Sequence, residues 1–343
     1  MRSEHVMNRR KFIGQTSAGL TLPHIAEAFS ESRSPHKLGI ASTSYSTAWR
    51  PNDTLEFLEH CHALGAAGIQ APIRGDLKKI RDRAGQTGMY IEAMVSLPHA
   101  SDTSGFEAAL KNAQAVGAVA LRSACLPTRR YETFSTFAAW QQFVSASHKS
   151  IETALPILDR YKIPLGLENH KDWTADEMSA LLSQYSSEYL GVCLDFGNNI
   201  SLLDDPMYVI EKLVPYVVTT HVKNIAVEPC DDGFLLSEVV LNDGLLDLRR
   251  ITSLIHQSRP RARFSLEMIT RNPLVIPCLA DKYWITFPDR NGIFLARTLK
   301  LVEKERSPQP LPRISQLERN EQLRIEEQNV VACLRYAGEA LNL

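Results

Sequence analysis

The sequence predicts an α/β protein, a (β/α)8 barrel with a C-terminal helical extension, and three observations predict it. From Lys37 onward, short apolar runs alternate with longer amphipathic ones, the pattern of parallel strands joined by crossover helices. Eight candidate strands fit between Leu38 and Met268, a spacing that suits a closed barrel better than an open sheet. The later strands end in acidic residues or histidine, where a barrel of this kind carries its chemistry.

Taken in order, the strands are expected at Leu38–Ala41, Gly68–Ala71, Tyr90–Val95, Ala118–Ser123, Pro164–Glu168, Gly191–Asp195, Val217–Val222 and Phe264–Met268. Helical periodicity fills the intervals at Asp53–Leu64, Asp76–Thr87, Gly105–Val116, Phe137–Tyr161, Thr174–Tyr185, Pro206–Val214 and Leu246–Ser258. Asp53 is a candidate N-cap, and Thr174 with Glu177 three residues on makes a capping box. Glycine follows several helices ("LGAAG", "TG", "VGA"), where a C′ residue needs positive φ. The connection from Asn224 to Asp247 is too long for a plain βα loop, which marks it as functional or disordered. After "SPQPLPR" a polar helix, Ile314 to Ala340, is expected to pack on the barrel rather than form a second domain. The chain thus divides into a barrel at 37–302 and an extension at 303–343.

Residues 1–30 read differently. Arg9-Arg10-Lys11, a weakly apolar stretch from Gln15 to Leu22, and the small-x-small Ala26-Glu27-Ala28 resemble a twin-arginine signal peptide in the correct order. That predicts the twin-arginine export machinery as a partner and an exported, periplasmic location. No run approaches the roughly 20 apolar residues of a membrane span. With 44% hydrophobic and 22% charged residues and a net charge of -1, the composition is globular and lacks the basic stripe of a nucleic-acid binder. The six cysteines contain no C-x-x-C pair, so neither a zinc ribbon nor a disulfide framework is expected.

Strand ends carry the functional reading. Glu168, Asp195, His221 and Glu267 close the last four expected strands, and each would face one point above the barrel. Each alone is ordinary. Four in the same relative position form an oxygen-rich set with one nitrogen, suited to a single divalent metal ion: Mn²⁺, Mg²⁺, Co²⁺ or Zn²⁺. Strand alternation places His170 on the face of Glu168 and Lys223 on that of His221, and Asn198 over the mouth of the pocket. Lys223 could hold a substrate oxygen or stay a rim lysine, and His170 could orient Glu168.

Through "ENH" (168–170), "CLDFGNN" (193–199), "THVKN" (220–224) and "SLEM" (265–268), residues 38–302 resemble the xylose isomerase-like TIM barrels, a sugar isomerase and epimerase superfamily that includes endonuclease IV. The resemblance implies one divalent ion, Mn²⁺ first, held by Glu168, Asp195, His221 and Glu267. In the ketose 3-epimerase branch it implies Glu168 and Glu267 as catalytic acid and base. That branch usually has His where Asn198 stands, and an Arg beyond the strand-seven His where this chain has Lys223. "LRSACLPTRRYE" (121–132) and "MITRNPLVIPCLADKYW" (268–284) resemble an exported bacterial subgroup, which implies Arg122, Arg130 and Arg271 on the substrate side, with Arg129 and Lys282 as further candidates.

The expected reaction is isomerisation or epimerisation of a keto sugar through an enediolate. The alternatives are a lyase eliminating the C1 substituent of a 3-keto-glycoside, and a sugar-binding barrel without turnover. A small carbohydrate is the expected partner, and a homo-oligomer is compatible with the sequence. Endonuclease chemistry would need further histidines at strand ends that here are Ala41, Ala71, Val95 and Ser123.

Overall fold

In the computed structural model, which describes residues 37–99 and 102–343, eight parallel strands close into a barrel. They are β1 (Leu38–Ala41), β2 (Gly68–Ala71), β3 (Tyr90–Met94), β4 (Ala120–Ser123), β5 (Leu165–Glu168), β6 (Leu190–Asp195), β7 (Val217–Val222) and β10 (Arg263–Leu266), and β10 pairs with β7 and β1 to close the ring. Strands buried on both faces explain the continuous apolar runs. The expected strands therefore all form, with ends moved by one or two residues. The largest consequence is that Glu267 sits one residue beyond β10. The expected signal segment lies outside the described residues.

Helices begin where the capping residues say they should. Asp53 Oδ1 accepts from the Glu56 amide, and Thr174 with Glu177 forms the complete capping box. Near its amino-terminal rim the barrel is filled by one ring: Tyr90 lies across Gly39 and Gly68, where a Cβ would come within 2.2 Å and 2.5 Å of its atoms, and donates its hydroxyl to Phe264 O at 2.7 Å.

One irregularity places the site. Val192 pairs with Val217, but Cys193 pairs with Thr219, so Val218 is an extra residue in β7. In an unbroken register Asp195 would stand beside Thr220; the bulge sets it beside His221 instead. Gly191 accommodates the bulge, since a Cβ there would lie 2.2 Å from Tyr216 O and 2.7 Å from Val218 Cγ2.

The long connection after β7 is ordered. It forms a hairpin of β8 (Asn224–Cys230) and β9 (Gly233–Val239), to which β11 (Leu274–Ile276) adds antiparallel. The C-terminal segment docks through carboxylates rather than apolar contact alone. On its helix, Arg319–Tyr336, Glu326 accepts from the amides of Thr47, Ala48 and Trp49 at 3.0, 3.0 and 2.7 Å. Glu327 accepts from Tyr45 Oη at 2.8 Å. The helix thereby fixes the short turn Ser42–Tyr45 at the carboxyl edge of β1. All six cysteines are free.

Candidate metal centre and cleft

Glu168, Asp195, His221 and Glu267 converge at the carboxyl edge of the barrel, each offering an atom within 4.8 Å of the others. All four are buried. His221 Nδ1 faces the three carboxylates at 3.6, 3.6 and 3.3 Å, and neither it nor Asp195 Oδ2 has a hydrogen-bond partner. Buried orphaned atoms of this kind are rare, because each forfeits its solvation without return. A divalent cation would satisfy both, and the donor set of three carboxylates and one imidazole fits such an ion.

The rest of the imidazole is held for that role. His221 Nε2 lies 2.6 Å from Gln70 Oε1, an oxygen that can only accept, so Nε2 carries a proton and Nδ1 is the nitrogen turned to the carboxylates. Although burial opposes the charge, Glu267 and Glu168 raise the imidazole pKa, and an ion bound there would take the place of the Nδ1 proton. Gln70 Nε2 donates to Glu92 Oε2 at 2.9 Å, and Ser265 Oγ donates to the same oxygen at 2.9 Å. Burial raises the Glu92 pKa, against the hydrogen bonds it accepts. A polar layer in the barrel interior therefore supports the four-residue ring.

Cations surround the carboxylates. Arg122 pairs with Glu168, whose other oxygen accepts from Asn198 Nδ2 at 3.0 Å. Lys223 pairs with Glu267 and lies 2.7 Å from Asp195 Oδ2, without hydrogen-bond angles to the latter. Thr43 Oγ1 donates to Glu267 Oε1 at 2.8 Å. Burial would push the pKa of Glu168 up, but Arg122 and His221 hold it below the ordinary carboxylate range. In Glu267 burial is likewise outweighed, by His221 and Lys223. Burial opposes the charge on Lys223, and Asp195 and Glu267 override it and raise its pKa. Lys223 is only 2% exposed, so it is no snorkelling rim residue.

Above the ring opens a cavity of about 570 Å³ whose walls include Arg122, His170, Lys171, Asn198, Lys223 and Arg271. His170 faces it but makes no bond to Glu168; its buried Nδ1 has no partner, and burial lowers its pKa to about 4. Asn169, one residue earlier, turns away and pins β5 to β6 through the backbone of Asp195, at 2.9 Å to its carbonyl and 2.8 Å to its amide. Asn198 lies on the floor of the cavity rather than over its mouth, buried and bonded to Glu168.

Three candidates for the substrate side, Arg130, Arg129 and Lys282, are placed otherwise. The guanidinium of Arg130 is not brought to the cleft. It is 3.6 Å from the Trp140 ring centroid and 4.1 Å from that of Phe287, and it bonds Thr286, Glu177 and the Asp172 carbonyl. It fastens the 281–290 segment to the barrel, a role decided in part by Phe287, which is remote in sequence. Arg271 does line the cleft, held by Glu238 at 2.6 and 3.2 Å. Arg129 pairs with the neighbouring Glu132, and Lys282 is exposed. Gln70, Glu92, Thr43, Lys171 and Glu238 were not singled out in the sequence. The first two carry a signal there, since "GIQA" and "YIEAM" each place a polar residue within a short buried strand.

Comparison with known proteins returns the same architecture. A family model described as xylose isomerase-like TIM barrel matches residues 58–285. A 3-oxo-isoapionate decarboxylase of Pectobacterium atrosepticum is 28% identical over 243 residues, covering 68% of this chain and 77% of the relative. Among solved structures, a xylose isomerase domain protein from Planctomyces limnophilus superposes with a TM-score of 0.53 at 14% identity, covering 79% of this chain and 97% of its own. The 3-keto-D-glucoside 4-epimerase of E. coli gives 0.52 at 12% identity, covering 78% and 99%. At these identities the structural likenesses concern the fold. Among the described residues no helix is long and apolar enough to cross a membrane.

Proposed function

The chain belongs to the xylose isomerase-like TIM barrel family, and on that footing we propose that it is a divalent-metal-dependent enzyme of keto sugars or their derivatives, working through an enediolate as an isomerase or epimerase. The observation that carries the reading is the ring of Glu168, Asp195, His221 and Glu267, with His221 Nδ1 unpartnered at its centre and Asp195 Oδ2 met only by the Lys223 ammonium. These residues would hold the ion, with Mn²⁺ as first choice. Bound there, it would supply Lewis acidity toward a carbonyl oxygen.

The protein's own groups supply the proton chemistry. Arg122 and Lys223 keep Glu168 and Glu267 ionised, so each carboxylate is ready to accept a proton from the carbon next to a ketone. The two glutamates come from the two ends of a four-strand arc, at the end of β5 and just past β10, which suits removal of a proton by one and its return by the other. Asn198 and Thr43 hold the carboxylates in fixed orientations, and Lys223 offers positive charge to an oxygen that becomes anionic.

A second reading, a lyase, draws support from the relative named as a decarboxylase. Loss of the C1 substituent of a 3-keto-glycoside would follow from the same enediolate after proton removal, whereas loss of carbon dioxide from the carbon beside a ketone would generate the enediolate directly, to be protonated there. Export by the twin-arginine route stays part of the proposal, to be tested by fractionating cells that express the whole chain.

The test is to incubate metal-loaded protein with ketohexoses, 3-keto-glucosides and keto sugar acids in deuterated water, and to follow label and product mass. Deuterium entering beside the carbonyl, lost in Glu168→Gln and Glu267→Gln, supports the reading. A product that differs from the substrate only by the deuterium taken up means isomerase, and a released fragment means lyase. No exchange with any of them would overturn turnover and leave a sugar-binding barrel.

A further inference from the structure

We propose that the cleft takes a sugar acid rather than a neutral sugar, its carboxylate lodged against Lys171; this names the substrate class of the enzymatic reading and rests on it. Four cations stand around the cleft floor, and three of them have carboxylates of their own. Arg122 is paired with Glu168, Lys223 with Glu267 and Asp195, and Arg271 with Glu238. Lys171 is the exception. It is 3% exposed, and the side-chain bond its Nζ makes is to the neutral amide oxygen of Asn198, with no ion pair to any described carboxylate.

A buried ammonium without a counter-charge is costly, and the fold gains nothing evident by keeping one. Burial and then Lys223 push the Lys171 pKa down to about 8, so the ammonium still predominates at neutral pH. Beside it His170 presents an unpartnered buried Nδ1 to the same cavity. The cleft thus contains a cation without an ion pair and an unsatisfied polar atom within one wall, linked to Glu168 through Asn198.

The charge count selects the anion. One unpaired ammonium matches a carboxylate, with a single negative charge. A phosphate monoester brings about 1.5 to 2 charges and three acceptor oxygens, and calls for more than one free cation. Arg122 and Lys223 are committed to carboxylates of the ring, and Arg271 to Glu238.

The test is equilibrium titration of the metal-loaded full-length protein with three matched unreactive probes: gluconate, glucitol and glucose 6-phosphate. Wild type should bind gluconate about tenfold or more tightly than glucitol, the range of a hydrogen bond to a charged group, and also more tightly than the phosphate. Lys171→Met should bring gluconate and glucitol within threefold of each other. It should melt at or above the wild-type temperature, since a buried charge has been removed. Equal binding of acid and alcohol by wild type, preference retained in Lys171→Met, or a large fall in its melting temperature would each overturn the proposal, the last by showing a structural lysine. Tighter binding of the phosphate would overturn the carboxylate. The titration needs no turnover, so a protein that selects gluconate through Lys171 yet exchanges no proton would refute only the enzymatic reading.

Discussion

His221 and Gln70 are joined through Nε2 and Oε1 at 2.6 Å, and this contact, not the metal-facing side of the ring, decides which imidazole nitrogen is free. Glu92, which also accepts from Ser265, fixes the Gln70 amide in turn. The proton on Nε2 is therefore held from across the barrel, by Gln70 on β2 and Glu92 on β3.

Replacing Gln70 by Ala should weaken Mn²⁺ binding by about 10- to 100-fold, the usual effect of losing an outer partner of a ligating histidine. The protein should stay folded, because the deleted amide is polar and small. Titration followed by manganese electron paramagnetic resonance, with circular dichroism as a folding control, checks this; unchanged affinity would dissociate the contact from metal binding.

Lys223 should matter most when the ion is absent. It is the cation nearest Asp195 and Glu267, so Lys223→Ala leaves buried carboxylates uncompensated, at a cost on the order of 3 kcal/mol. The metal-free variant should melt well below the metal-free wild type, and added Mn²⁺ should recover more of the loss in the variant. Thermal unfolding in chelator and in excess Mn²⁺ decides it. An equal metal-induced rise in both proteins would contradict it.

The C-terminal helix should be a positioning element. Glu326 accepts three backbone amides of residues 47–49, just beyond the turn that aims Thr43 at Glu267. Removing those charge-assisted bonds in Glu326→Ala should destabilise by about 2 to 4 kcal/mol. It should also lower kcat on any turned-over keto sugar more than it changes KM. A drop in stability with kcat intact would confine the helix to a structural role.

Asp172 predicts a pH dependence. Burial raises its pKa to about 7, against amide donors from Trp173 and Leu126. Its folded value lies above the unfolded one, so its stabilising contribution is complete below about pH 4 and is lost as pH rises to about 7. Between pH 5 and pH 8 wild type should lose roughly 2 to 3 kcal/mol relative to Asp172→Asn, by linkage at about 1.4 kcal/mol per pKa unit. Urea midpoints of both proteins at the two pH values test this, and parallel midpoints would contradict it.

The barrel was legible because its signals are local. Strand runs, caps such as Asp53 and Thr174, and polar residues at strand ends can all be read from a few neighbouring positions. Glu168, Asp195, His221 and Glu267 were found that way. What brings Asp195 beside His221, however, is the bulge at Val218, and nothing in "YVVTTHV" announces it. Arg130 is expected on the substrate side from the resemblance carried by "LRSACLPTRRYE"; Trp140 and Phe287 bury it instead, and the second of these is far away in the chain. Glu238 was hidden in a connection whose hairpin could not be foreseen, and Glu326 in a tail whose docking depends on amides at the opposite end of the barrel sequence. Lys171 stood in plain view after "ENH", but its lack of a carboxylate partner is a fact of packing.

The account turns on the ring being a metal centre, and elemental mass spectrometry of purified protein, wild type beside His221→Ala, tests that most directly. The account predicts about one divalent ion per chain in wild type and none retained in the variant. A wild type that takes up no ion even after reconstitution with Mn²⁺, Zn²⁺, Co²⁺ and Mg²⁺ would contradict it.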